Sequence, residues 1–85
     1  MKENPEFEKA VASLDTILKP DYDHIKKLRD GVDKEETSES VMSFITKYQE
    51  LYNTKVSDIS QAVKTIASSM GYTFDEKAFQ EKYRV

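Results

Sequence analysis

The sequence predicts an all-α fold, a small antiparallel bundle of four to five helices. Apolar residues recur at the i, i+3, i+4, i+7 spacing of one helix face over much of the 85-residue chain. No segment alternates between apolar and polar residues for long enough to indicate a strand. Two glycines and two prolines are too few for the tight turns of an all-β domain. We expect one domain over residues 1–85, with helices at about 5–18, 21–30, 37–53, 57–70 and 74–83.

The first two predicted helices are bounded by capping and breaking residues. Asn4 is the expected N-cap and Pro5 the first helical residue. Pro20 is expected to end the first helix, and Gly31 to end the second in the left-handed conformation. The core-facing stripe of the first helix consists of Phe7, Ala10, Val11, Leu14, Ile17 and Leu18. The second helix has a narrower apolar edge at Tyr22, Ile25 and Leu28.

The third predicted helix has the most aromatic stripe. Its start stays open between a capping box formed by Asp33 and Glu36 and a cap at Thr37 or Ser38. Asn53 is expected to end the helix in the left-handed conformation. The residues assigned to its core face are Val41, Phe44, Ile45, Tyr48, Leu51 and Tyr52.

The fourth and fifth predicted helices meet at a glycine. Ser57 is the expected cap of the fourth helix, and Gly71 is expected to end it. Thr73 and Glu76 have the spacing of a capping box for the fifth helix. The fourth helix carries the apolar residues Ile59, Ala62, Val63, Ile66, Ala67 and Met70, and the fifth carries Ala78, Phe79 and Tyr83.

Composition excludes several classes of function. The formal net charge is −3 with 34% charged residues, whereas nucleic-acid-binding domains normally carry a basic excess. No apolar run is long enough to span a bilayer, and the N-terminal "MKENPEFEK" lacks the apolar segment of a signal peptide. The absence of cysteine excludes disulfides and thiolate sites. We therefore expect a soluble cytoplasmic protein with no membrane span, and the charge balance disfavours a nucleic-acid partner.

The sequence offers little material for catalysis or for binding a cofactor. Asp21, Asp23 and His24 lie together in "DYDH", but a metal or acid–base site needs a third ligand and a protected pocket. The two carboxylates also suit the positive end of a helix dipole, which accounts for them without a ligand. There is no glycine-rich phosphate loop and no nucleophile elbow. We expect no enzyme activity, no cofactor and no metal site.

One stretch, "IASSMGYTFDEKAFQEKYR", resembles the second half of an AraC-type DNA-binding domain. In that family an Ile-Ala helix ends at a Gly-aromatic pair, and a Phe-bearing helix follows. The resemblance implies a DNA-binding regulator whose helix-turn-helix is formed by residues 57–70 and 74–83. The residues expected on the surface of the last helix give almost no attraction for phosphate, because they are Asp75, Glu76, Lys77, Gln80, Glu81 and Arg84. DNA binding is therefore the alternative interpretation.

A second stretch, "TSESVMSF", is similar to the modification site of acyl carrier proteins. In that family the serine of an Asp-Ser-Leu motif carries phosphopantetheine. The corresponding residues are Glu39, Ser40 and Val41, and the apolar register that follows differs from the family pattern. An acyl-carrier-like role is the third interpretation.

The leading interpretation is a non-enzymatic protein that acts by binding another protein. The segment "ITKYQELYNTKVSDISQAVKTIA" is loosely similar to the last two helices of bacteriocin immunity bundles, which implies an adaptor, inhibitor or immunity-type role. Self-association would use the same exposed residues. The candidate contact residues are Met42, which falls outside the apolar stripe of its helix, and Tyr72 and Phe74, which a tight turn cannot both bury.

Overall fold

The computed structural model describes residues 3–32 and 38–85, and this part of the chain is helical without a β-strand. The all-α class predicted from the sequence is confirmed. The helix boundaries differ from the predicted ones: the structure has α1 at Pro5–Ala12, α2 at Asp15–Asp30, α3 at Glu39–Met70 and α4 at Glu76–Tyr83.

α1 begins where the sequence predicts. The side chain of Asn4 accepts a hydrogen bond from the backbone N–H of Phe7 at 3.0 Å, and Pro5 is the first helical residue. The helix ends after Ala12, but Ser13 and Leu14 keep right-handed helical dihedral angles. α1 and α2 therefore follow each other almost without interruption and form one arm.

Pro20 lies inside α2, so the prediction that it ends a helix was wrong. Proline removes one backbone hydrogen bond and crowds the carbonyl of the residue four positions earlier, which is Thr16. The preceding turn adapts with short i→i+3 bonds, such as Leu14 N–H to Val11 O at 3.0 Å and Ile17 N–H to Leu14 O at 3.0 Å. The division of the arm, at Ser13 and Leu14, falls nearly two turns before the proline.

α3 begins at a serine cap. The hydroxyl of Ser38 accepts a hydrogen bond from the N–H of Val41 at 3.4 Å, as one of the predicted alternatives requires. The other candidate caps, Asp33, Glu36 and Thr37, lie outside the described residues.

α3 continues for 32 residues through the predicted break at Asn53–Ser57. The side-chain amide of Asn53 binds the backbone of Val85 instead of capping a helix: Nδ2 donates to Val85 O at 2.9 Å, and Oδ1 accepts from Val85 N–H at 3.0 Å. No glycine or proline occurs within α3, so nothing forces an end there.

The two glycines behave differently. Gly71 ends α3 in the left-handed conformation with φ 73°, as predicted, and the next N–H, from Tyr72, bonds to Ala67 O at 2.8 Å. Gly31 has φ −84°, so the predicted left-handed end of α2 was wrong. There the chain closes with an i→i+3 bond from Val32 N–H to Arg29 O at 3.3 Å, which needs no positive φ.

α4 is capped by Asp75, not by the predicted pair of Thr73 and Glu76. Asp75 adopts extended dihedral angles, and its carboxylate accepts from Ala78 N–H at 3.0 Å. Aspartate binds a free N–H well and also interacts favourably with the positive end of the helix dipole.

α3 is the central rod, and its two neighbours both run antiparallel to it. Asp21 of α2 contacts Tyr48 and Lys55 near the middle of α3, and Phe7 of α1 stacks on Tyr72 beyond its C-terminal end. The bundle therefore has three rods, the α1–α2 arm, α3 and α4, rather than the predicted four to five helices. The buried cluster between them consists of Leu18, Ile25, Tyr52, Val56, Phe79 and Tyr83.

The molecule is elongated, with principal extents of 52 × 17 × 16 Å. Within residues 3–32 and 38–85, none of the helices combines the length and the apolar character needed to cross a membrane.

Candidate protein-binding surface

The apolar arc of α3 is wider than its neighbours cover. The α1–α2 arm and α4 lie on one side of the helix and bury Ile45, Tyr52, Val56, Ser60, Val63 and Ala67. Leu51 is 66% exposed, Phe44 58% and Ile66 53%, although all three were assigned to the core by sequence. The sequence pattern shows how wide the arc is, but not how much of it the neighbouring helices cover.

These exposed side chains lie along one face of α3 together with Lys55 and Ala62, which are also exposed. We call this face the α3 stripe: Phe44, Leu51, Lys55, Ala62 and Ile66. At about 100° per residue they fall within an arc of about 60°. With a rise of about 1.5 Å per residue, the stripe is about 33 Å long. It runs along most of α3 and has one charged residue, Lys55, at its centre.

Ile17 extends the apolar surface onto α2. It is 51% exposed and lies seven residues before His24, so the two share a face of α2. The imidazole of His24 packs edge-on against the ring of Tyr48 with centroids 5.4 Å apart. The face of α2 that carries Ile17 therefore borders the seam beside the α3 stripe.

A polar network fixes this seam. The hydroxyl of Tyr48 donates to Asp21 Oδ1 at 3.0 Å and lies 3.2 Å from His24 Nδ1, while Lys55 Nζ is 3.5 Å from Asp21 Oδ2. Burial, and then the hydrogen bond to Asp21, raise the pKa of Tyr48. The network holds α2 against α3. Asp21 and His24 therefore have a structural role, whereas the sequence explained the carboxylates of this segment only by the dipole at a helix N-terminus.

The "DYDH" residues do not converge on a ligand. Asp23 pairs with Lys19 at 3.4 Å on the exposed side of α2, away from the partners of Asp21. Within the two described segments, no group of three or more histidine, aspartate or glutamate residues is placed to hold a metal ion.

The surface of α3 is poor in charge. Its 32 residues include six charged side chains, whereas the 16 residues of α2 include eight. Depletion of charge is the compositional mark of the buried part of protein interfaces. The six charged residues of α3 are Glu39, Lys47, Glu50, Lys55, Asp58 and Lys64.

The three candidate contact residues predicted from sequence do not form one site. Met42 is 37% exposed but points about 150° away from the α3 stripe. Tyr72 and Phe74 lie beyond the other end of α3, about 40 Å from Met42 by helix rise. Both are half-buried, Tyr72 against Phe7 at 5.1 Å between centroids and Phe74 against Phe79 at 5.6 Å.

The helices that the DNA-binding alternative requires form an antiparallel hairpin. Lys64 Nζ lies 3.3 Å from Glu76 Oε2, and the amide of Gln80 donates to Ser60 Oγ at 3.4 Å. In a helix-turn-helix the two helices cross at about 90–120°. Ser40, the residue of the acyl-carrier resemblance, lies exposed in the first turn of α3.

The molecule exposes more surface than its mass predicts. Its accessible surface is 6272 Å², against about 5200 Å² for a compact monomer of this mass. The radius of gyration is 16.0 Å, against about 12 Å for a compact domain of this length. The additional surface comes from the rod shape, in which α3 has neighbours on one side.

Comparisons with known proteins give no relative. No protein-family model matches the chain, and searches of curated proteins and of solved structures find no significant similarity.

Proposed function

We propose that this protein acts by binding a protein partner through the α3 stripe, without catalysis. The observation that carries the proposal is the exposure of Phe44, Leu51 and Ile66 along one face of a charge-poor helix. Contiguous exposed apolar surface is rare on soluble proteins that act alone, and it marks interaction sites.

The stripe is large enough for specific but weak binding. Because Phe44, Leu51 and Ile66 are between 53% and 66% exposed, their burial in an interface would contribute about 3–5 kcal/mol before the cost of association is subtracted. Ile17 adds a fourth apolar side chain at the border. We expect weak, reversible binding with a dissociation constant above the micromolar range, as for a transient adaptor or inhibitor.

Site-specific photocrosslinking tests this function. A photoreactive phenylalanine analogue at Leu51 is expected to crosslink the partner, and the same analogue at Met42, on the opposite side of α3, is the control. The crosslinked protein, identified by mass spectrometry and purified, should bind the wild-type chain in calorimetry and should lose at least tenfold in affinity for Leu51→Glu. Equal crosslinking at both positions, or equal binding of Leu51→Glu, would contradict the proposal.

The DNA-binding alternative gains no support from the described surface. The antiparallel packing of α4 on α3 buries Phe79 and Tyr83 and leaves a mixed charged face outward. A gel-shift titration at low salt tests it directly: tight binding that weakens steeply with added salt would replace our proposal.

A further inference from the structure

The α3 stripe also indicates which partner it fits. We propose that it binds a second copy of this chain, so that two α3 helices pack antiparallel about a two-fold axis at Lys55. This inference rests on the proposed function, because it names the occupant of the same surface.

The stripe is centred on α3. Lys55 lies 16 residues after the first residue of the helix and 15 before the last. An antiparallel pair aligned on Lys55 therefore overlaps the two helices over nearly their whole length. A two-fold interface of this kind brings the same patch of both copies together.

The alignment on Lys55 produces apolar layers on both sides of the axis. Phe44 of one copy lies opposite Ile66 of the other, eleven residues from the centre in each. Leu51 lies opposite Ile59, which is half-buried at the edge of the core. Tyr48 lies opposite Ala62, so a large side chain meets a small one, as close packing requires.

The centre of the pair carries the one charged layer. The two Lys55 ammonium groups approach each other there, but each is held by the carboxylate of Asp21 of its own copy, at 3.5 Å. A single lysine in an otherwise apolar helix–helix seam fixes register and the number of chains, at a cost in stability. Lys55 therefore selects one alignment among those that the apolar residues alone would permit.

The rim of the stripe carries opposite charges. Lys47 and Asp58 lie along the same flank of α3, outside the apolar arc. A two-fold axis perpendicular to the helices brings this flank of one copy beside the same flank of the other. Lys47 of one copy and Asp58 of the other are then separated by five residues, about 7.5 Å along the helix direction. Opposite charges of the two copies therefore lie on the same rim.

The exposed surface of the protomer leaves room for a homodimer interface. The protomer exposes about 1000 Å² more than a compact monomer of its mass, and a standard interface buries about 800 Å² on each partner. Pairing through α3 gives the central helix neighbours on both sides. Burial of this area would bring the exposed surface of each protomer close to that of a compact monomer of its mass.

Sedimentation equilibrium measures the association. We expect a mass that approaches twice the 9.8 kDa of the protomer as concentration rises. Leu51→Glu is expected to raise the dimer dissociation constant at least about a hundredfold, because each dimer loses two buried leucines and gains two buried charges. Ile66→Glu provides a second variant at an equally exposed position, and circular dichroism verifies that both remain helical. Met42→Glu, off the stripe, is expected to leave the constant unchanged.

Cysteine crosslinking determines the orientation, since the natural chain has no cysteine. Lys55→Cys is expected to form a disulfide between copies, because both sulfurs lie at the axis. Phe44→Cys alone is not expected to do so, since the two sulfurs are about 33 Å apart. An equimolar mixture of Phe44→Cys and Ile66→Cys is expected to crosslink, and Met42→Cys is the control for random collision.

Each result decides between the hypotheses. A dimer with crosslinks at residue 55 and between residues 44 and 66 supports the proposal. A dimer in which Phe44→Cys crosslinks to itself has parallel helices and overturns it, as does equal weakening by Leu51→Glu and Met42→Glu. A monomer at all concentrations overturns the homodimer; if photocrosslinking at Leu51 still captures a partner that Leu51→Glu fails to bind, the proposed function stands without it.

Discussion

The hydroxyl groups of two buried tyrosines affect the stability of the core in opposite directions. Tyr52 is 2% exposed, and its hydroxyl has no hydrogen-bond partner among the described residues. The hydroxyl of Tyr83 donates to Asp15 Oδ1 at 2.9 Å and so joins α4 to α2. A buried hydroxyl without a partner costs free energy, whereas a satisfied one contributes about 0.5–1.5 kcal/mol, or more when it bonds a charged group.

Replacement of each tyrosine by phenylalanine tests this difference. We expect Tyr52→Phe to raise the free energy of unfolding by about 1 kcal/mol, because an unsatisfied polar group is removed. Tyr83→Phe should lower it by about 1–2 kcal/mol, because Asp15 loses a donor. Urea denaturation of the two variants measures both values. Destabilisation by Tyr52→Phe would mean that its hydroxyl is bonded in solution.

The same tyrosines predict a loss of stability at alkaline pH. Burial, followed by the hydrogen bond and negative charge of Asp15, raises the pKa of Tyr83 to about 12, and burial also raises the pKa of Tyr52. An unfolded tyrosine has a pKa of about 10, so the folded state favours the protonated hydroxyl. This contribution is complete below about pH 10 and is lost progressively between about pH 10 and pH 12.

Denaturation midpoints measured from pH 8 to pH 11.5 test the prediction, with Tyr83→Phe as the control. The denaturation midpoint of the wild type should decrease as the pH rises above about 10. The midpoint of Tyr83→Phe should decrease less steeply, because one tyrosine with a raised pKa is absent. Equal slopes would mean that Tyr83 does not govern the alkaline transition.

At the scale of the elements, the two prolines form a natural pair for comparison. Pro20 lies inside α2 and leaves the carbonyl of Thr16 without its helical donor. Pro5 occupies the first position of α1, where no donor is needed. We expect Pro20→Ala to raise the free energy of unfolding by about 1–2 kcal/mol, because the helix preference of alanine exceeds the loss of proline's rigidity. Pro5→Ala should change it little, and a destabilising Pro20→Ala would show that the proline is needed to dock α1.

The glycines give a second comparison between elements. At Gly71 a new Cβ would meet nothing within 4 Å, but φ is 73°. Gly71→Ala should therefore lower the free energy of unfolding by about 1–2 kcal/mol through backbone strain alone. Gly31→Ala should cost less, since φ there is −84°, although the new Cβ would approach Lys27 O to 3.3 Å. Chemical denaturation compares the two, and a larger loss at Gly31 would contradict the conformational explanation.

The element boundaries show what sequence patterns can predict. The ends at Asn4 and Gly71 follow from interactions within one turn and were predicted, and the cap at Ser38 was one of the alternatives that the sequence left open. The errors at Pro20 and Asn53 have a different origin. A proline can be accommodated by the turn before it, and an asparagine side chain can be recruited by Val85, 32 residues away. Neither outcome is encoded locally.

At the scale of the whole molecule, the sequence predicts the apolar residues of α3 but does not predict which of them remain exposed at the candidate site. The apolar residues of α3 were recognised, but Phe44, Leu51 and Ile66 were assigned to the core together with Tyr52 and Ala67. Which of these residues become buried depends on where the α1–α2 arm and α4 pack against α3. The periodicity within α3 does not specify that position. The width of the apolar arc, together with the low charge of the helix, is the signal in the sequence from which an exposed apolar face could have been recognised.

Small-angle X-ray scattering tests the assembly at this scale. The protomer is 52 Å long and about 17 Å thick. Two rods paired antiparallel about Lys55 lie side by side, so association should thicken the particle and leave its longest dimension nearly unchanged. Contact through the ends of the rods, near Met42 or near Tyr72 and Phe74, would instead nearly double that dimension.

A concentration series therefore separates these assemblies without any substitution. We expect the forward-scattering mass to double while the maximum dimension stays near the length of one rod. Leu51→Glu should keep the protomer mass over the same series, because its side chain is 66% exposed in the protomer and its replacement affects the interface alone. A maximum dimension that grows with mass would assign the interface to the ends of the molecule and would exclude the α3 stripe as the contact between copies.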